Sequence, residues 1–320
     1  MKRIALVAAL AAIAAPAFAQ STVQVYGRLN TSVERQKAGD TSKTVMQNNS
    51  SRLGFKGSED LGGGLKANFQ LEHGFGADTG AASGDMWGRE SWVGLSGNFG
   101  SVRLGNMTSG AYYALADYVS LHNHDTGTSA DKLYGDDAIE KNHKKANKIS
   151  YTTPSLSGFT AEVQYALKET GDDSTIDLAA NYDMGPLHLG AGFIKTGDDK
   201  LFGIRALYEL GAFTFGGYYE RDKLDDDKRN NFRLSGMYTM GASEFHVNFG
   251  VAGDLGDADD TGAKQFTLGY NYNLSKRTKL YAFYTKLNND KNGLYSAGGD
   301  NGNVAPADFS SFAVGIRHNF

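Results

Sequence analysis

Leu65-Lys66-Ala67-Asn68-Phe69-Gln70-Leu71 decides how the rest of the chain is read. Leu65, Ala67, Phe69 and Leu71 fall on one side of an extended backbone and Lys66, Asn68 and Gln70 on the other, because side chains of a strand alternate with a period of two. One face is apolar and the other wet. The alternation returns at Phe159, Ala161, Val163 and Tyr165, at Phe232, Leu234, Gly236 and Tyr238, at Phe245, Val247, Phe249 and Val251, and at Phe266, Leu268, Tyr270 and Tyr272. Sixteen such segments start near residues 23, 50, 65, 89, 101, 147, 159, 175, 187, 201, 213, 230, 244, 264, 278 and 309.

Short and long connections alternate between them. Residues 98–100, 155–158, 184–186, 210–212 and 275–277 read as tight turns, whereas 35–49, 76–88, 108–146, 222–229, 253–263 and 288–308 are long, polar and rich in Gly, Asp, Asn and Lys. That asymmetry suits an up-and-down barrel whose two ends face different compartments. A two-sheet sandwich alternates too, but its strands commonly run about five or six residues. These segments run nine to twelve, near the length of a tilted strand that crosses a bilayer. Tyr165, Tyr182, Tyr208, Tyr219, Tyr238 and Tyr272 lie near segment ends, where barrels carry aromatic girdles. The expectation is an all-β, transmembrane, 16-stranded antiparallel up-and-down β-barrel.

Composition is compatible with this and excludes much else. The 320 residues are 40% hydrophobic and 21% charged, figures that mix two alternating faces and so resemble a soluble protein. With no Cys there is no disulfide framework, thiolate metal centre or cysteine nucleophile. Glycine, at 41 residues, is nearly twice its usual share of about 7%, and 17 Tyr with 18 Phe favour strands and turns over helices. Beyond Gln20 the longest unbroken hydrophobic run is residues 111–116, where a membrane helix needs about twenty residues.

Residues 1–19 read as a secretory signal peptide: Lys2 and Arg3 precede an apolar run from Ile4 to Ala15, and Ala17-Phe18-Ala19 forms a cleavage site. Residues 20–320 then form the mature domain, with a formal charge of −6, which does not suit a nucleic-acid binder.

Several stretches carry a family resemblance. They are Val25-Tyr26-Gly27, Ser51-Arg52-Leu53-Gly54-Phe55-Lys56-Gly57-Ser58-Glu59-Asp60-Leu61-Gly62, Arg89 with Val93-Gly94-Leu95, Ser150-Tyr151-Thr152-Thr153-Pro154 with Gly158-Phe159, Leu274-Ser275-Lys276-Arg277-Thr278, and Val314-Gly315-Ile316-Arg317-His318-Asn319-Phe320. In this order the chain resembles Gram-negative general porins of the trimeric β-proteobacterial type over essentially its whole mature length. The resemblance implies a water-filled outer-membrane channel for passive diffusion of ions and small hydrophilic solutes. It also implies a long third loop that folds inward and constricts the pore, its acids facing a ladder of bases on the wall.

The third loop is residues 108–146. Arg28, Arg52 and Arg89 match the ladder, Lys56 shares the strand face of Arg52, and Lys148 lies on the polar face of the sixth strand. A charge at the lipid midplane costs about 2–4 kcal/mol, so these side chains belong in water. Among Asp117, Asp125, Asp131, Asp136, Asp137 and Glu140, we take Asp117 and Asp125 as the acidic side. Gly105-Asn106-Met107 stands where the family has Gly-Arg, which removes one positive charge near the loop's start. Arg103 on the same strand compensates in part, and Lys141, Lys144 and Lys145 add charge at the far end. A weak anion preference is expected.

The resemblance further implies a homotrimer in contact with outer-membrane lipid and lipopolysaccharide, and delivery to the barrel-assembly machinery through the terminal Phe320. No cofactor and no metal is implied. His122, His124 and Asp125 lack a third fixed ligand. Asp257, Asp259, Thr261 and Gly262 imitate an EF-hand start, but Leu268 stands where the bidentate Glu belongs. Gly74, Gly76 and Gly80 precede no helix that could bind phosphate. Asp225-Asp226-Asp227 and residues 254–260 read as solvated caps that could bridge lipopolysaccharide through divalent cations. A substrate-specific channel for a sugar or organic acid is the alternative reading. A barrel enzyme is the more distant one, since neither His73 near a strand end nor His318 on the apolar face sits in a catalytic motif.

Overall fold

The computed structural model describes residues 21–117, 119, 126–134, 146–169, 173–293, 295–296 and 305–320. Residues 1–19, expected from the sequence to be a signal peptide, lie outside that set. Among the described residues there are seventeen strands in one antiparallel sheet: β1 (Thr22–Ala38), β2 (Thr41–Asn48), β3 (Arg52–Gly62), β4 (Leu65–Gly74), β5 (Glu90–Gly97), β6 (Gly100–Asn106), β7 (Lys148–Thr152), β8 (Phe159–Ala166), β9 (Thr175–Met184), β10 (Leu187–Thr196), β11 (Asp199–Leu210), β12 (Phe213–Leu224), β13 (Asp227–Met240), β14 (Ser243–Ala252), β15 (Ala263–Asn273), β16 (Thr278–Asn289) and β17 (Phe309–Asn319). β2 and β3 lie end to end along one edge of β1, paired with its residues 31–38 and 22–28, so the wall has sixteen staves. β17 pairs with the other edge of β1, from Arg28 opposite Asn319 to Ala38 opposite Phe309, and closes the barrel. Closure matters because a backbone group left unpaired in lipid has no water to bond.

Burial is inverted relative to a soluble protein. On β13 the outward Phe232 and Leu234 are 43% and 52% exposed, while the inward Arg229 and Arg233 are 1% and 2% exposed. A slip of one residue would exchange these faces and place arginine in lipid, so the alternation fixes the register. Phe213, Phe215, Tyr238, Phe245 and Tyr270 make a run of touching rings on adjacent staves, with neighbouring centroids 4.8–6.3 Å apart. They lie toward the short-turn end, where an aromatic girdle meets the interface. At that end Gly185, Gly211 and Gly241 each open a two-residue turn with φ near +60°, a conformation glycine takes without steric cost.

Two of the expected long loops are strand. Residues 35–49 continue β1, turn at 39–40 and return as β2, and residues 222–229 belong to β12 and β13 except for a turn at 225–226. Both hairpins extend past the apolar band, where both faces are polar and the alternation that marks a strand disappears. β6 and β7 are separated by residues 107–147, of which 118, 120–125 and 135–145 lie outside the described residues.

Candidate functional site

The described part of the third loop lies along the inner wall. Its root is tied by Glu90, whose Oε1 accepts from Thr108 N (3.1 Å) and Oγ1 (2.8 Å). Asp177 on β9 then accepts the backbone N–H groups of Gly110 and Ala111 at 3.1 and 3.0 Å. Ser109 Oγ caps the short helical turn Gly110–Tyr112 by accepting from Tyr112 N at 3.1 Å, and a wider turn, Tyr113–Asp117, follows. Ala111 and Leu115 pack on Ile194 and Leu201, two apolar residues on the inward parity of their strands. Glycines make the groove that receives them: a Cβ at Gly192 would stand 2.8 Å from Ala111 Cβ, and one at Gly203 2.5 Å from Leu115 Cδ1. Arg205 Nε donates to Ala114 O (2.7 Å) and Ser235 Oγ to Val119 O (2.8 Å).

The far limb, residues 126–134, is held as firmly. Asp131 accepts from Arg233 Nη2 at 2.6 Å and from Tyr218 Oη at 2.5 Å. Gln265 donates to Ala130 O at 2.9 Å and accepts from Lys132 N at 3.0 Å. Glu34 on β1, fully buried, accepts from Thr128 Oγ1 (2.6 Å), Ser32 Oγ (2.9 Å), Gln36 Nε2 (3.0 Å) and Ser311 Oγ (2.9 Å). Tyr134 lies between the rings of Tyr112 and Tyr218, and burial pushes its hydroxyl pKa well above the usual value.

The bases named from sequence fall into two groups. Arg28 stands opposite Arg52 in the β1–β3 register, and its Nε donates to Asn319 Oδ1 at 3.0 Å. Arg89 Nε is 2.5 Å and Arg52 Nη1 3.9 Å from Glu72 Oε1, and Tyr26 Oη donates to the other oxygen of Glu72 at 2.9 Å. Lys56 Nζ rides over the Tyr26 ring, 5.1 Å from its centroid. These four cations form one connected patch on β1, β3 and the start of β5. Arg103 is instead bonded to Glu162 and Ser150 and lies over the Trp92 ring, while Lys148 is 3% exposed, donates to Gln164 Oε1 at 2.7 Å and sits 3.9 Å from Asp177. Both are neutralised beneath the loop's root.

Asp117 is exposed on the wide turn. Tyr113 beside it is within electrostatic reach of both Asp117 and Arg89. Asp125, His122, His124, Asp136, Asp137, Glu140, Lys141, Lys144 and Lys145 lie outside the described residues. Sequence reasoning missed Glu72, which follows the polar parity of the strand that opened the reading, and missed Asp131 as an anchor. The signal for the loop's seat was Ile194 and Leu201, apolar residues where water-facing ones belong.

A closed barrel with an apolar outer face, a charged inner face and a loop laid along its lumen defines a membrane-spanning channel protein. The chain belongs to the Gram-negative porin family, which it matches over residues 5–292. It is 34% identical to outer membrane porin protein 32 of Delftia acidovorans and 27% identical to the major outer membrane protein P.IB of Neisseria meningitidis serogroup A, in each case across the full length of both chains. Among solved structures it is similar to an anion-selective porin from Comamonas acidovorans, with a TM-score of 0.79 and 32% identity over 94% of this chain and 100% of the other. A Salmonella typhi OmpF structure, 18% identical at a TM-score of 0.72, covering 93% of this chain and 97% of that one, shares the fold. The protein is an outer-membrane porin, a channel for passive diffusion.

Proposed function

We propose that the channel favours small anions weakly, with Arg28, Arg52, Lys56 and Arg89 as the basic face of its constriction and Asp117 and Asp125 of the third loop as the acidic face. The observation that carries this reading is the patch of four cations, Arg28 opposite Arg52, Arg52 and Arg89 at Glu72, and Lys56 over Tyr26, gathered on one stretch of the inner wall. Opposed charges across a narrow aqueous opening set up a transverse field that orients dipolar solutes and favours one ion sign. Arg103 and Lys148 contribute less to that field, being paired with Glu162 and Asp177. An anion-selective relative is consistent with the same sign.

The reading includes removal of residues 1–19, a homotrimer embedded in lipid and lipopolysaccharide, delivery through Phe320 to the assembly machinery, and no covalent chemistry. The reversal potential in a potassium chloride gradient tests the selectivity: its sign should be that of chloride, and a potassium-signed potential rejects the assignment.

A further inference from the structure

Near the short-turn end of the barrel, three cations from adjacent staves meet in the lumen. Lys279 on β16 stands directly across from Arg317 on β17, and Arg317 directly across from Asn30 on β1. Asn30 is fully buried on the inward face, so Lys279 and Arg317 share that face, as does Arg28 two residues before Asn30. Lys279 is 8% exposed, and its amine has no hydrogen bond or ion pair among the described residues. Arg317 and Arg28 oppose its charge, and Glu244 is the carboxylate that favours it.

Glu244 is itself engaged, accepting from Asn271 Nδ2 at 2.8 Å and Asn273 Nδ2 at 2.7 Å, with His246 Nε2 at 3.5 Å. The end of the chain is held at the neighbouring edge by paired backbone hydrogen bonds between Phe320 and Gly27, both 3.1 Å. Above the cations, Tyr281 Oη donates to Asn30 Oδ1 (2.9 Å) and accepts from Asn49 Nδ2 (2.6 Å), which closes that side with neutral groups. A nearly buried amine between two guanidiniums is a costly arrangement unless an anion visits it. Lys279 and Arg317 take no part in seating the loop or in the basic face of the constriction, which Arg28 adjoins.

We propose that Lys279 and Arg317, with Arg28 at the edge they share with the basic face of the constriction, form an anion site on the short-turn side of that constriction, which binds a small doubly charged oxyanion in transit. An amine and two planar guanidinium forks offer more donors than a single chloride can use, and match an ion with several oxygens. Inorganic phosphate and a short dicarboxylate share this chemistry. The inference rests on the channel reading, because the site is reached through the lumen.

The test uses the assembled full chain in a planar bilayer near neutral pH, with chloride current recorded while inorganic phosphate, or succinate in a second arm, is titrated. Saturable reduction of the current is expected, with half-saturation raised by about fivefold or more in Lys279→Gln and in Arg317→Gln and kept close to wild type in Lys279→Arg. Saturation by phosphate alone assigns the site to tetrahedral oxyanions, and saturation by both ligands to dianions in general. If Lys279→Gln does not assemble, the contrast of Arg317→Gln with Lys279→Arg gives the same answer. A current that falls without saturating, or an unchanged half-saturation in the glutamine variants, overturns the site while leaving the channel intact. Absence of any conductance would count against the channel reading instead.

Discussion

Asp131 joins the far limb of the third loop to two strands at once, through Arg233 on β13 and Tyr218 on β12. Breaking a buried ion pair from one side leaves the other charge stranded, at a cost of about 3–5 kcal/mol. Asp131→Ala should therefore loosen the limb while the hydrogen-bonded wall still assembles. The expected readout is a heat-modifiable barrel on gels with increased open-channel noise; a silent open state would show that Asp131 does not anchor the loop. Arg89 acts by charge instead. Arg89→Gln leaves Glu72 with Arg52 at 3.9 Å as its nearest cation, so the reversal potential should move toward potassium. No movement would exclude Arg89 from the basic face. Resemblance to the family's ladder, with strand parity for Lys56, placed Arg28, Arg52, Lys56 and Arg89 inside. It could not show that Arg103 and Lys148 are neutralised, because Glu162 and Asp177 come from neighbouring staves and only the register brings them near.

Between elements, the informative contact is the loop on its glycine groove. Gly192→Val would drive a side chain into Ala111 and Leu115, and overpacking of this kind costs about 1–3 kcal/mol. We expect the loop to shift and single-channel conductance to change, whereas Gly236→Ala, whose Cβ would meet Val247 Cγ1 at an ordinary 3.4 Å, should leave both conductance and heat stability as they are. Equal behaviour of the two variants would contradict the groove. The sequence hid this packing because glycine on a strand signals a bend as readily as a docking surface. β2 and the β12–β13 hairpin escaped for a related reason: beyond the bilayer nothing requires an apolar face, so Thr41, Ser42, Lys43 and Thr44 read as loop although they are paired. Where lipid enforces alternation, as from Leu65 to Leu71, the strand was legible residue by residue.

For the whole molecule, closure and orientation follow from one inversion, apolar outward and polar inward, carried around sixteen staves. The final strand completes the ring, and its last residue, Phe320, faces outward at 40% exposure with its ring beside Gly27. Deleting Phe320 should lower the amount of assembled protein in outer membranes, measured as heat-modifiable oligomer; an undiminished yield would remove it as an assembly signal. The central claim, a passive water-filled pore, is tested most directly by single-channel recording of the purified chain across a range of potassium chloride concentrations. The account predicts conductance steps that come in groups of three and grow in proportion to salt. Intact barrels that give no steps, or a conductance that saturates at low salt and is blocked tightly by one uncharged sugar, would contradict it.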